Sequence, residues 1–451
     1  MRTTRGKSAV VLAAMTAGAL TLSACGGAAD ASGDGESSGS ASGSGSSSSS
    51  TSGGGETTTL TVALFGTFGY EESGLFEQYM EENPDIRIEY ESTQGEDKYW
   101  PALQTKLNSG SGTADIQGIE VARIADVTAN QADLWTDLSE TAAGDQVANY
   151  VEWKAAAATT EDGRVVGLGT DIGPMGLCYR TDLFEQAGLP TDPEELAGEL
   201  GSWEEFLALG EEFAASAPEG SAFHDSAGGL YNAIISTESE IYYDADGELV
   251  VDSNEAVRDA FDLAARAGQE GLTAKLEQFV DPSWDAGFGS GTFASIACPS
   301  WMIGYIKGKA GDAGSGQWNI TTLPGGQGGN WGGAYLGIPA ASENKEEAAE
   351  LIAWLTDAEQ QAAVFTNVGN FPSNTGAIEL VADATDEYFN DAPIGEVFTT
   401  SAQNAPTQIL GPDDGVAKNA LVQALLSVEV NGVSPEDAWE NGVSTILNQV
   451  S

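Results

Sequence analysis

The sequence predicts an α/β fold divided between two lobes, and three observations predict it. Alternating apolar runs trade places with helix-period runs in β-α-β-α order over residues 57–130, the pattern of a parallel sheet covered by helices. From residue 57 onward the chain keeps an ordinary apolar content over a length that exceeds what one hydrophobic core usually serves. The residues before 57 have a different composition and do not belong to the fold.

In chain order, Leu60 to Leu64 alternates as a strand, and Leu75, Phe76, Tyr79 and Met80 share one face of a helix ending near Asn83-Pro84. Ile86 to Tyr90 is the next strand. Tyr99 to Ser109 is helical, with Leu103 and Leu107 one turn apart; Ala114-Asp115-Ile116 opens a third strand and an Arg123 to Asn130 helix follows. Gly167-Leu168-Gly169 marks a crossover, Gly176 to Tyr179 a strand, and Ser202-Trp203-Glu204-Glu205 a capping box that starts a helix reaching about Ala215. Tyr242 to Val251 is expected to be a hairpin turned at Asp246-Gly247, and the Asn254 to Ala267 helix to stop at Gly268. Thr292 to Ala297 and Ile320 to Leu323 are short strands. Asn344 and Glu347 cap a helix whose inner face is Ala348, Leu351, Ile352 and Leu355. Ser434-Pro435-Glu436-Asp437 caps the last helix, with Val443, Ile446 and Leu447 inward.

Arg2, Arg5 and Lys7 precede an apolar run from Ala9 to Leu22 that closes with Leu22-Ser23-Ala24-Cys25, the layout of a signal peptide over residues 1–24. Residues 25–56 are nearly all Gly, Ser, Ala and Thr with a few acids; they bury too little apolar surface to offset chain entropy and are expected to be a flexible tether. The motif at Cys25 resembles the lipobox of bacterial lipoproteins, which implies cleavage before Cys25 and a lipid on its thiol; an ordinary secretory signal is the alternative. The mature chain is then anchored to the outer face of the membrane and does not span it.

The net charge of −52 comes from acids scattered along the whole chain, with no basic stripe, which disfavours nucleic acid and anionic ligands. Beyond Cys25 the cysteines are Cys178 and Cys298; export permits a disulfide, and two buried thiols remain the alternative. A single histidine, His224, and no Cys/His/carboxylate spacing of a metal site lead to an expectation of no metal and no cofactor. Asp244 to Glu248 is a turn, since its calcium-loop likeness breaks off early, and the glycines at 325–333 have no following Lys-Ser/Thr of a phosphate loop.

A sugar offers apolar C–H faces rimmed by hydroxyls, so its site needs flat aromatic surfaces and short polar side chains. Phe65-Gly66-Thr67-Phe68-Gly69-Tyr70 follows the first strand, where open α/β sheets place ligands. Trp284, Trp301, Trp331 and Tyr335 stand among small polar residues, and Asn370 follows Gly369; as a group they are candidates for a cleft wall, while Trp203 and Trp354 sit in helices and read as core. Asp115, Glu120 and Asp171, at predicted strand ends, are candidate hydroxyl partners, with capping or solvation the default for acids in so acidic a chain.

Leu107-Asn108-Ser109-Gly110 leading to Ala114-Asp115-Ile116, Cys178-Tyr179-Arg180-Thr181-Asp182-Leu183-Phe184, Pro299-Ser300-Trp301 and Gly337-Ile338-Pro339 together resemble the family 1 extracellular solute-binding proteins that serve ABC importers of carbohydrates. Cys298 to Met302, Trp331 to Tyr335 and Gly369 to Ser373 are similar to actinobacterial binders of cellobiose and cello-oligosaccharides. The resemblance implies two α/β lobes, 57–169 with 322–366 and 170–321 with 367–451, joined by a hinge that bends around the ligand. It places Tyr179 and Trp301 as stacking aromatics of the C-terminal lobe, Phe65 to Tyr70, Asp115 and Glu120 on the opposite wall, and Trp331, Tyr335 and Asn370 in the cleft. Asp171 falls near the hinge. The partners implied are an oligosaccharide, most simply cellobiose, and membrane permease subunits, the chain itself acting as a monomer without catalysis. A lipid-anchored glycoside hydrolase is the main rival, since acids with tryptophans describe those clefts as well. A binder of xylobiose, a peptide or a siderophore is the second.

Overall fold

A computed structural model describes residues 57–450, apart from the side chain of Asp97. The signal peptide, Cys25 and the tether read from the sequence lie outside the described residues.

Eleven strands are present among the described residues: β1 Thr58–Phe65, β2 Ile86–Thr93, β3 Ile116–Glu120, β4 Leu168–Gly169, β5 Asp171–Ile172, β6 Met175–Arg180, β7 Ala222–His224, β8 Phe293–Pro299, β9 Trp318–Thr321, β10 Ala334–Gly337 and β11 Phe371–Pro372. They form a five-stranded sheet in the order β2-β1-β3-β10-β4, a four-stranded sheet β7-β8-β6-β9, and the pair β11-β5. Each larger sheet is the centre of one lobe.

In the first sheet β1 runs parallel to β2 and β3, as helical crossovers require. Beyond these three strands, parallel pairing recurs only between β7 and β8 of the second sheet among the described strands. β10 enters after an excursion through the other lobe and pairs antiparallel with β3 and β4, and in the second sheet β6 is antiparallel to both β8 and β9. Side chains alternate across each sheet, so every strand feeds two cores. Along β10, Ala334 and Leu336 join the cluster around Leu60, Val62 and Ile352, while Tyr335 joins that of Ile119, Ile124 and Trp135. Along β6, Leu177 and Tyr179 face Phe184, Phe206 and Phe261, and Cys178 faces Phe288, Ile296 and Trp318. A disulfide joins Cys178 to Cys298, tying β6 to its neighbour β8.

The caps at Ser202 and Ser434 form as read, their hydroxyls accepting from the backbone N–H of Glu205 at 3.2 Å and of Asp437 at 3.1 Å. Four local expectations fail. The Glu255–Glu270 helix passes through Gly268 and ends at Gly271, which takes the left-handed cap at φ 77°. Gly268 serves packing instead: a Cβ there would lie 2.9 Å from the Cβ of Glu429. Asn344 makes no side-chain cap, because its amide is turned toward Asp115 at 3.3 Å. The Tyr242–Val251 segment turns where expected but pairs only through a Tyr243–Leu249 bridge, and Leu447 is 46% exposed.

Candidate ligand-binding site

The two sheets are linked by three chain passages: β4 through β5 to β6, β9 to β10, and the Ala358–Val368 helix to β11. The first two touch at backbone level. Trp331 N–H donates to the Gly173 carbonyl at 2.8 Å, and Gly173 N–H donates to Asn330 Oδ1 at 2.9 Å. A Cβ on Gly173 would fall 2.0 Å from the Trp331 carbonyl oxygen, so the approach requires glycine. The third passage is drawn in by Ser300, whose hydroxyl donates to the Ile172 carbonyl at 3.3 Å and accepts from Phe371 N–H at 3.2 Å.

This junction presents aromatic faces. Trp301 and Trp331 are both half-buried; their rings meet edge to face at 5.9 Å, and Trp301 Nε1 donates to the Trp331 carbonyl at 2.9 Å. Gly332 leaves space for that indole, since a Cβ there would sit 2.9 Å from Trp301 Nε1. In the first lobe, the loop after β1 carries Phe65, half-buried, Thr67, exposed, and Phe68 and Tyr70, buried. Phe65 and Phe68 pack as a T at 5.1 Å above Gly118, where a Cβ would crowd Phe68 at 3.0 Å. Asn370 fastens this loop to the third passage by donating to the carbonyls of Thr67 at 3.0 Å and Phe68 at 3.3 Å.

A charged group lies under the junction. Asp171 Oδ1 accepts from Thr170 Oγ1 at 2.6 Å and from Ala334 N–H at 3.0 Å. Burial raises its pKa, against the pull of the Lys154 ammonium. Lys154 is wholly buried, its Nζ 3.8 Å from the Tyr335 ring centroid and without a hydrogen-bond acceptor. Burial lowers its pKa to about 8, against the fields of Asp171 and Glu120. Tyr70 and Tyr335 also bury hydroxyls without partners, and burial, with Asp171 nearby, raises both above the ordinary phenol value. Glu120, half-buried at the end of β3, caps the Val121–Asn130 helix through Ala122 N–H at 2.7 Å; burial raises its pKa, opposed chiefly by Lys418 of the Asp414–Asn431 helix. Beside the hinge a cavity of about 330 Å³ is lined by Val121, Trp153, Asn330, Pro406, Gln408 and Leu410.

Three residues expected in the cleft have structural duties instead. Asp115 precedes β3, at the opposite end of that strand from Glu120; it accepts from Thr61 N–H at 2.9 Å, Thr61 Oγ1 at 2.8 Å, Ser342 Oγ at 2.7 Å and Asn344 Nδ2 at 3.3 Å. Tyr179 is fully buried in the second lobe, where its hydroxyl donates to the Thr191 carbonyl at 2.8 Å. Trp284 is fully buried too and donates through Nε1 to Asp225 at 2.7 Å. Asp115 and Tyr179 thus stand at β3 and in β6, and Trp284 in the Pro282–Ser290 helix. The structure adds Lys154, on the Glu152–Ala157 helix, and Phe279, 50% exposed beside Trp301. Neither carries a motif: Lys154 precedes a run of alanines and Phe279 stands before Val-Asp-Pro. Among the described residues no cluster of His, Cys, Asp and Glu is arranged to hold a metal ion, and no helix is long and apolar enough to cross a membrane.

Two sheet-centred lobes, joined by three passages and lined at the junction by aromatic rings and short polar groups, define a hinged binding protein. The chain belongs to the bacterial extracellular solute-binding protein family, whose model matches residues 74–394; proteins of this family are exported, non-enzymatic components of transport. A solved structure described as an extracellular solute-binding protein of family 1 is 38% identical, with a TM-score of 0.75 over 87% of this chain and 100% of that one. A lactose-binding protein of Rhizobium radiobacter is 33% identical over 27% of this chain and 28% of its own length. An arabinooligosaccharide-binding protein of Bacillus subtilis (strain 168) is 25% identical over 35% of this chain and 34% of its own. The alignments thus span about a third of these two curated relatives.

Proposed function

We propose that the protein captures a neutral oligosaccharide between its lobes and delivers it to an ABC importer, with cellobiose or another β-linked gluco-oligosaccharide as the ligand. The observation that carries this reading is the half-buried Trp301–Trp331 pair, whose rings meet edge to face at 5.9 Å where the passages between the lobes come together. Indole faces suit the C–H faces of a pyranose, and a chain of net charge −52 suits an uncharged ligand. The lactose- and arabinooligosaccharide-binding relatives support the sugar class. The segments around Cys298, Trp331 and Gly369 favour β-linked glucose.

In this reading residues 57–169 with 322–366 and 170–321 with 367–451 are the moving bodies. Each offers part of the hydrogen-bonding set, so the closed form alone satisfies the sugar hydroxyls, and the permease reads that form. No bond is broken. A lipid on Cys25 and the 26–56 tether keep the receptor near the permease and raise the concentration at which the two meet. Calorimetry with cellobiose, followed by chromatography of the sugar, tests the proposal: saturable binding and recovery of intact disaccharide are expected. Appearance of glucose would instead establish the hydrolase reading.

A further inference from the structure

We propose that Phe279 is the outer stacking surface of the cleft, taking one more sugar ring of a neutral oligosaccharide beyond the ring at Trp301 and Trp331; this rests on the sugar-binding reading above. Phe279 is 50% exposed and Val280 beside it 65%, in a chain that buries most of its aromatic rings. Its backbone is left-handed, at φ 63°, a conformation unfavourable for a bulky side chain and one that persists where the surroundings impose it.

The surroundings do impose it. On one side Gln278 Nε2 is held by Asp225 Oδ2 at 2.7 Å, the same buried oxygen that accepts Trp284 Nε1. On the other, Asp281 caps the Pro282–Ser290 helix through Ser283 N–H at 2.7 Å. Between these pins the chain turns Phe279 outward. Its ring rests on three others: Trp284 at 4.7 Å, Tyr305 at 5.6 Å and Trp301 at 6.1 Å between centroids. Trp284 is fully buried beneath, so Trp331, Trp301 and Phe279 form a row of accessible rings, with Tyr305 at its side.

Exposure and backbone strain are both unfavourable for the free fold, and neither is needed to close a core. Trp284 already fills the space below. What the arrangement supplies is an apolar surface continuous with the hinge aromatics, suited to the C–H face of a further pyranose. The Lys309 ammonium near Tyr305 is paired with Asp285 at 2.6 Å, so it does not stand free beside the row.

Calorimetry of Phe279→Ala with cellobiose and cellotriose tests this. The wild-type chain is expected to bind the trisaccharide more tightly; the variant should lose about tenfold for cellotriose and less than about twofold for cellobiose, and Phe279→Trp should restore the trisaccharide. Phe279→Gly, at ease with a positive φ, should melt no lower than wild type while showing the same selective loss. Equal losses for both sugars, no loss for either, or a Phe279→Gly protein melting well below wild type would overturn the assignment while leaving sugar binding intact. A wild-type chain that binds neither sugar refutes the sugar reading first.

Discussion

Asp115 and Glu120 stand near opposite ends of β3, and that separation decides what each side chain does. Asp115 closes the end remote from the hinge by accepting four hydrogen bonds from three residues on two segments, whereas Glu120 reaches the hinge end with one oxygen engaged as a helix cap. The contrast yields a paired prediction. Asp115→Ala leaves the Thr61 N–H and three other donors without their acceptor and should lower stability by about 1–3 kcal/mol with sugar affinity unchanged. Trp301→Ala should weaken binding by at least about tenfold, about 1.4 kcal/mol, with little change in melting temperature. Denaturant unfolding and calorimetry on both variants check it; an affinity loss in Asp115→Ala, or none in Trp301→Ala, contradicts the assignment. Residue types and loop context pointed to Trp301, Trp331 and Asn370, which the structure brings to the junction of the passages. The same signals were not enough for Tyr179, because a strand of period two presents each side chain to one of two cores and the local pattern of β6, buried on both faces, does not say which; nor for Trp284, which lies in the Pro282–Ser290 helix with its indole fully buried against Asp225. Lys154 was illegible for a related reason: its helix is six residues long, and its burial is created by Gly169 and Gly333 on distant passages.

At the level of elements, the alternation of strands and helices through residue 130 was readable because each βα unit is local in sequence. The antiparallel entry of β10 was not, since its direction is set by the route the chain takes back from the second lobe. β6 and β8 are 120 residues apart along the chain at their disulfide, and the bond therefore constrains a long loop of the unfolded state. Replacing both Cys178 and Cys298 by Ala should cost about 2–5 kcal/mol, read as a lower guanidinium midpoint, with the ligand affinity of the folded protein kept. An unchanged midpoint would show that β6–β8 pairing and the core around Phe288 and Trp318 are sufficient alone.

For the whole molecule, buried acids set the response to pH. Burial raises the pKa of Asp225 to about 6, against the hydrogen bonds from Gln278 and Trp284, and those of Asp414 and Glu429 to about 7. Each holds its proton in the fold where the unfolded chain, with ordinary values of 3.8 or 4.5, has lost it, so the stability these groups contribute is present below pH 4 and is lost as pH rises toward 7. His224 acts oppositely: burial lowers it to about 3, it stays neutral beside Asp225, and its contribution is lost as pH falls below 6.5. Three acids outweigh one histidine, and the self-repulsion of a charge of −52 adds to them. The melting temperature should therefore be several degrees higher at pH 5 than at pH 8; the reverse order would mean that these carboxylates ionise freely in the fold.

The three passages and the shared aromatic junction make ligand capture a property of both lobes together. Small-angle scattering during a titration with cellobiose tests that claim most directly. The radius of gyration should fall in step with saturation and the sugar should be recovered intact. Saturable binding with no change in the radius of gyration would contradict capture by lobe closure.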